Sequence, residues 1–148
     1  MKPLTLFNTS SFFSSKSYLV LRLATGFFMC YSHGWSKLMS GSDRWYRLGV
    51  TITEFIGSDA LSIPLGFMAA FAESIGSLFI VIGFTTRPMA FLLFFTMLVA
   101  SSKKLLQAGI GGSELPMLYL ILSLFILFNG PGKYSLDNLI TSKTKWKY

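Results

Sequence analysis

The stretch AAFAESIGSLFIVIGFTTRP, Ala69 to Pro88, decides the fold. Its apolar run has helical length and carries one carboxylate, Glu73, at a depth where water is not expected. Upstream, Pro64 opens the segment, and downstream the apolar residues resume at once in MAFLLFFTMLVA. Only TTRP intervenes, which is too short for anything but a tight turn between antiparallel neighbours. Two adjacent membrane-length helices follow from this alone.

The rest of the chain has the same character. With 52% hydrophobic and 13% charged residues and a mean hydropathy of +0.57, the 148 residues match a membrane protein better than a water-soluble domain. That length suits one helical bundle and leaves no room for a separate catalytic domain, so a single domain over residues 1–148 is expected. The fold class expected is all-α: an antiparallel four-helix transmembrane bundle. Its spans are placed at Ser17–Leu38, Pro64–Phe84, Arg87–Leu106 and Glu114–Asn129, with a C-terminal tail over 130–148. Pro64, Pro88 and Pro116 are each read in an early helical turn, with Ser62, Thr86 and Ser113 as candidate caps. Arg22 interrupts the first apolar run and no small-residue cleavage site follows it, which favours a retained span over a signal peptide.

Between the first two spans, Trp45, Leu48, Ile52, Phe55 and Ile56 recur at helical spacing opposite Arg44, Arg47 and Glu54. This predicts an amphipathic helix at the membrane interface. Four spans place both termini on one side. That side holds the seven cations Lys2, Lys16, Arg87, Lys133, Lys143, Lys145 and Lys147, against five (Lys37, Arg44, Arg47, Lys103, Lys104) on the other. The positive-inside rule then favours cytoplasmic termini and a multi-pass protein of the plasma (bacterial inner) membrane.

Ionisable groups inside apolar helices are costly, about 2.5–3.5 kcal/mol each on insertion scales, and so mark candidate sites. Arg22, His33, Lys37 and Glu73 are those groups. Arg22, Gly26, Met29, His33 and Lys37 share one face of the first helix. Gly66, Ala69, Glu73, Ser77 and Ile80 share a small-residue face of the second, which invites close packing. An antiparallel arrangement centred on the spans puts Arg22 roughly 9 Å and His33 roughly 7 Å from Glu73 along the axis, on opposite sides. Two readings stand side by side. In one, Arg22 and Glu73 form an internal ion pair that sets helix register while Lys37 reaches the headgroups. In the other, Arg22, His33, Lys37 and Glu73 line a polar intramembrane pocket for a proton, a quinone head group or another small polar molecule.

Other chemistries lack their residues. One histidine and one cysteine, Cys30, provide no metal or haem ligand set and no disulfide within the chain, so no metal and no cofactor bound by the chain itself is expected, with quinone a candidate cofactor. The net charge of +7 is scattered between apolar blocks, which points to anionic lipid and not to nucleic acid. GIGGSE, Gly109 to Glu114, follows no strand and is read as a flexible turn, not a phosphate loop. No catalytic residue set is identifiable.

Taken together, the pieces resemble the DoxX family of membrane proteins from about Tyr18 to Ile140. LRLATGFFMCYSHGWSKL carries the family-like Arg22, Gly26, Gly34 and Lys37, and AAFAESIGSLFIVIGFTTRP carries Glu73, Gly76, Gly83, Thr86 and Arg87. GPGKYSLD, with Gly130, Pro131, Gly132, Tyr134 and Asp137, is similar to the family's exit from its last helix. Those residues also suit a physical stop: glycine leaves the helical region, proline cannot continue it, and Tyr134 and Asp137 can anchor or cap near Arg87. The resemblance implies a subunit or accessory of a membrane redox system, quinone- or sulfur-linked, or of an oxidative-stress system. It also implies a membrane or soluble redox partner and allows a homo-oligomer. The alternative is a non-catalytic membrane component that binds a partner or moves a small molecule, its buried charges serving helix packing.

Overall fold

A computed structural model describes residues 15–144; the side chains of Phe55, Ile56 and Thr144 are outside the description, as are Lys2, Lys145 and Lys147. Among the described residues every regular element is helical. The first rod runs through α1 (Ser15–Met29), a π-helical turn (Cys30–Gly34) and α2 (Trp35–Met39). After α3 (Ser42–Ile56) comes a short 3₁₀ turn, Asp59–Leu61. The second rod is α4 (Ser62–Phe71), a second π-helical turn (Ala72–Gly76) and α5 (Ser77–Ile82). The long α6 (Thr86–Asn129) and α7 (Leu136–Thr144) complete the chain.

Two of these runs, Asp59–Ile82 and Thr86–Asn129, are long and apolar enough to cross a membrane. The first rod, which carries Arg22, His33 and Lys37, is not among them. Burial is nevertheless arranged as in lipid. Ser74, Ser77, Thr86, Ser113 and Ser123 are fully enclosed, while Val20, Phe27, Phe28, Ile121 and Phe128 are more than half exposed. Water-soluble domains show the reverse distribution. The enclosed serines donate back to carbonyls of the preceding turn, as Ser74 does to Ala70 and Ser123 to Leu120, so none is left unsatisfied. The apolar centre is Met29, Ile80, Ala90, Leu93, Met97, Tyr119 and Ile126.

α6 is not one straight rod. A 44-residue helix would be roughly 66 Å long, yet a Cβ on Gly130, just past its end, would lie 3.1 Å from Arg87 Nε near its start. The return is made at Gly109, whose φ of 67° and ψ of −165° are open only to glycine. The flexible turn expected at Gly109–Glu114 is therefore confined to one residue, because helical hydrogen bonding resumes immediately beyond it. Pro116 correspondingly lies inside the second arm, not in its first turn, and Ser113 donates to Gly109 and Ile110 carbonyls instead of capping.

The other expected caps are also replaced. Ser62 Oγ lies 2.7 Å from Thr53 Oγ1, which ties α4 to α3. That hairpin is tight: a Cβ on Gly49 would strike the Ser62 backbone, and one on Gly66 would strike the Trp45 backbone. α3 thus packs along α4 where the sequence predicted only an interfacial helix, and Trp45 Nε1 further donates to Lys37 O at 3.1 Å. α5 ends in a Schellman turn at Gly83 (φ 74°), with Phe84 N–H on Phe79 O and the two rings 5.4 Å apart. The end of the second helix is therefore Ile82, two residues before the expected Phe84.

The tail expected after residue 130 folds into α7, whose start is capped by Ser135 Oγ accepting from Asn138 N–H at 3.1 Å. Its Asp137 carboxylate accepts from the N–H groups of Thr85 (2.8 Å) and Thr86 (2.9 Å) and from the Thr86 hydroxyl (3.0 Å). The cap on α6 comes from the far end of the chain. It holds Thr85 at φ 44°, a left-handed conformation that a β-branched residue rarely adopts.

Candidate functional site

The first and second rods touch where both contain a π-helical turn. A Cβ on Gly34 would collide with the carbonyl of Glu73, and one on Gly26 would lie 2.5 Å from Ser77 O. These contacts set the antiparallel register. They place Arg22 level with Val81, eight residues beyond Glu73, or roughly 12 Å along the helix axis.

The consequence is a correction to the predicted ion pair. Glu73 pairs with Lys37, not with Arg22. The Glu73 side chain is 2% exposed and that of Lys37 21%, so the pair is enclosed on the Glu73 side and partly exposed on the Lys37 side. Arg22, itself 2% exposed, turns away toward backbone: it donates to the carbonyls of Pro131, Tyr134 and Val81. Its guanidinium has the donors to serve several carbonyls at once, including that of Val81 near the open end of α5. Among the described residues no partner meets the buried donor Arg22 Nε. Register decides between the two acceptors, since Glu73 is out of reach for a side chain held beside Val81.

His33, Lys37 and Glu73 lie on the wall of one cavity of about 610 Å³; Arg22 does not. Met29 of α1 and apolar groups of α3, α4 and both arms of α6 complete the wall, among them Leu48, Ile52, Leu65, Met68, Leu92, Phe95 and Met97. His33 stands edge-on to Tyr119, ring centroids 6.1 Å apart, and Tyr119 is 8% exposed. Arg44, Arg47, Lys103, Lys104 and Gln107 also line it. Lys103 Nζ donates to Thr51 Oγ1 at 2.8 Å, joining the first arm of α6 to α3.

Tyr119 and these four cations were not among the site residues expected. Tyr119 has no mark within its apolar run, and the sequence places Arg44 and Arg47 on the polar face of an amphipathic helix and Lys103 and Lys104 near the end of the third span, with nothing local to join them. A π-helical turn on either side of the Gly34–Glu73 contact has no sequence signature, although such turns recur at functional sites. Cys30 is free and buried.

At the other end of the rods, the expected motif residues form a separate knot. Tyr18 donates to Gly130 O, Gly132 lies against the Tyr18 ring, and Arg87 lies against Gly130. Pro131 and Tyr134 offer their carbonyls to Arg22 while Asp137 caps α6, so Asp137 is bound to Thr85 and Thr86 rather than to Arg87. Tyr134 remains 45% exposed.

Residues 17–103 match the protein-family model described as DoxX. The matched residues include the first rod from Ser17 onward and the Lys37–Glu73 pair and stop short of GPGKYSLD. An uncharacterized protein of Haemophilus influenzae is 29% identical over 113 residues, covering 72% of this chain and 83% of that protein. No solved structure matches the chain.

Proposed function

The chain belongs to the DoxX family of membrane proteins, and from that premise we propose that it is a multi-pass inner-membrane protein binding a lipid-soluble quinone in its helical cavity, as the membrane subunit or accessory of a redox system. The first rod, the second rod and the two arms of α6 would be the four spans of an antiparallel bundle. α3 would lie toward the interface, and the termini would face the cytoplasm, the side favoured by the cation count.

One observation carries the reading: a carboxylate buried to 98%, paired with Lys37, lies with His33 on the wall of a mostly apolar cavity of about 610 Å³. A quinone ring needs such surroundings, apolar faces with a few donors for its carbonyl oxygens. Lys37, 21% exposed, is a donor on that wall, and the Tyr119 and Phe95 rings offer apolar faces. A bound quinone would supply the electron-accepting chemistry; this chain's residues would hold it, exclude water and present Glu73 and His33 as proton-handling groups. Electrons would enter from a membrane or soluble partner protein.

The test is equilibrium binding of a short-chain quinone to purified protein, by quenching of intrinsic fluorescence, with extraction and mass spectrometry of co-purifying quinone. Glu73→Gln should weaken binding while Arg22→Lys should not. Failure of the native protein to bind or retain quinone would leave the alternative, a non-catalytic component whose Lys37–Glu73 pair serves packing.

A further inference from the structure

Apart from Lys37, the quinone reading makes no use of the cations around the same cavity. All five cations that the topology assigns to one side of the membrane, Lys37, Arg44, Arg47, Lys103 and Lys104, line it. Lys37 is neutralised by Glu73 and Lys103 reaches the neutral Thr51 hydroxyl. Among the described residues no carboxylate pairs with Arg44, Arg47, Lys103 or Lys104. Arg44 and Arg47 lie three positions apart on α3, one face of that helix, and Lys103 and Lys104 approach from the first arm of α6.

From this arrangement we infer that the cavity mouth binds the phosphate head of an anionic lipid, whose chain runs down the apolar wall. Four cations drawn from two elements, none of them ion-paired among the described residues although Asp43 lies one turn from Arg47, form an anion site, because guanidinium and ammonium groups recognise phosphate oxygens by charge and by paired N–H donors. The wall behind them is apolar, with Leu48, Ile52, Leu65 and Met68 in reach of the same opening. A free phosphate would use the first feature only. An amphiphile uses both, and basic pockets between membrane helices suit anionic headgroups for this reason. The inference rests on the cavity and not on the quinone, since its headgroup contacts are Arg44, Arg47, Lys103 and Lys104 and Glu73 takes no part.

Native mass spectrometry of the full chain in a neutral detergent tests it, with phosphatidylglycerol and phosphatidylcholine of equal chain length and, separately, millimolar inorganic phosphate as probes. Phosphatidylglycerol should be retained roughly tenfold or more in preference to phosphatidylcholine, and rising salt should erode the preference. The combined variant Arg44→Gln, Arg47→Gln, Lys103→Gln, Lys104→Gln should lose it. Lys16→Gln with Lys143→Gln, at the opposite end, should keep it, as should Glu73→Gln. The pair Arg44→Gln, Arg47→Gln leaves Lys103 on Thr51 and provides a milder variant if the fourfold change lowers yield; it should reduce the preference in part. Equal retention of the two lipids, an unchanged preference in the mouth variants, or displacement of the lipid by inorganic phosphate alone would each overturn the proposal.

Discussion

Lys37 of the first rod and Glu73 of the second form an ion pair beside the point where the Gly34 and Glu73 backbones meet. Each residue sits in or next to a π-helical turn, so backbone contact and charge pairing occur at one level. Lys37→Met should cost toward the lower end of about 3–5 kcal/mol, because Glu73 is left enclosed while Lys37 already touches the surface. Glu73→Met should cost less, and the double variant should recover much of the loss. A thermal-stability cycle in detergent measures the coupling, and strictly additive single effects would show that the pair is not energetically linked.

Arg22 is a staple for the C-terminal motif. Arg22→Met should strand the carbonyls of Pro131 and Tyr134 and lower stability by about 3 kcal/mol, hydrogen bonds to a charged group being worth roughly 1.5–3 kcal/mol each and not fully additive. Arg22→Lys should recover only part, as one ammonium cannot reproduce the planar fork. Thermal midpoints of the three proteins decide it; full rescue by lysine would mean that charge alone suffices.

Asp137 should behave as a helix cap despite lying 51 residues from Thr86. Asp137→Ala is expected to cost about 1–2 kcal/mol and Asp137→Asn clearly less. Hydrogen exchange at the Thr85 and Thr86 amides should accelerate in the alanine variant. Unchanged exchange there would remove the cap assignment.

At Gly109 any side chain should be destabilising for conformational reasons only, since nothing lies within 4 Å of a Cβ there. Gly109→Ala should cost about 1–3 kcal/mol. Gly34→Ala should also destabilise, but by collision with Glu73, and it should disturb ligand binding as Gly109→Ala should not. Comparing stability and quinone binding in the two variants separates strain from steric overlap.

Reporter fusions after Tyr148 and within the Gly57–Asp59 connection should report opposite sides of the membrane, with the C-terminal one cytoplasmic. The same side for both would contradict four spans. An external C-terminus would reverse the orientation while leaving the span count intact.

Sequence alone determined what short-range chemistry can determine. Periodicity and punctuation sufficed for helices over the first rod, the second rod and both arms of α6, because apolar length, Gly83 and the TTRP turn act within a few residues. The costliest residues, Arg22, His33, Lys37 and Glu73, were legible for the same reason: a charge in an apolar run is conspicuous wherever the helix goes. Partners were not legible. Which cation meets Glu73 depends on helix register, and register is set by the contacts of Gly34 with Glu73 and Gly26 with Ser77, between residues 39 and 51 positions apart. Only tertiary structure could bring Asp137 to Thr85, Pro131 to Arg22, or Arg44 and Lys104 to one cavity. Helical periodicity fixes the face on which a side chain lies, whereas its neighbour across the interface depends on how far two helices slide before their small residues lock, and that sliding has no local signature.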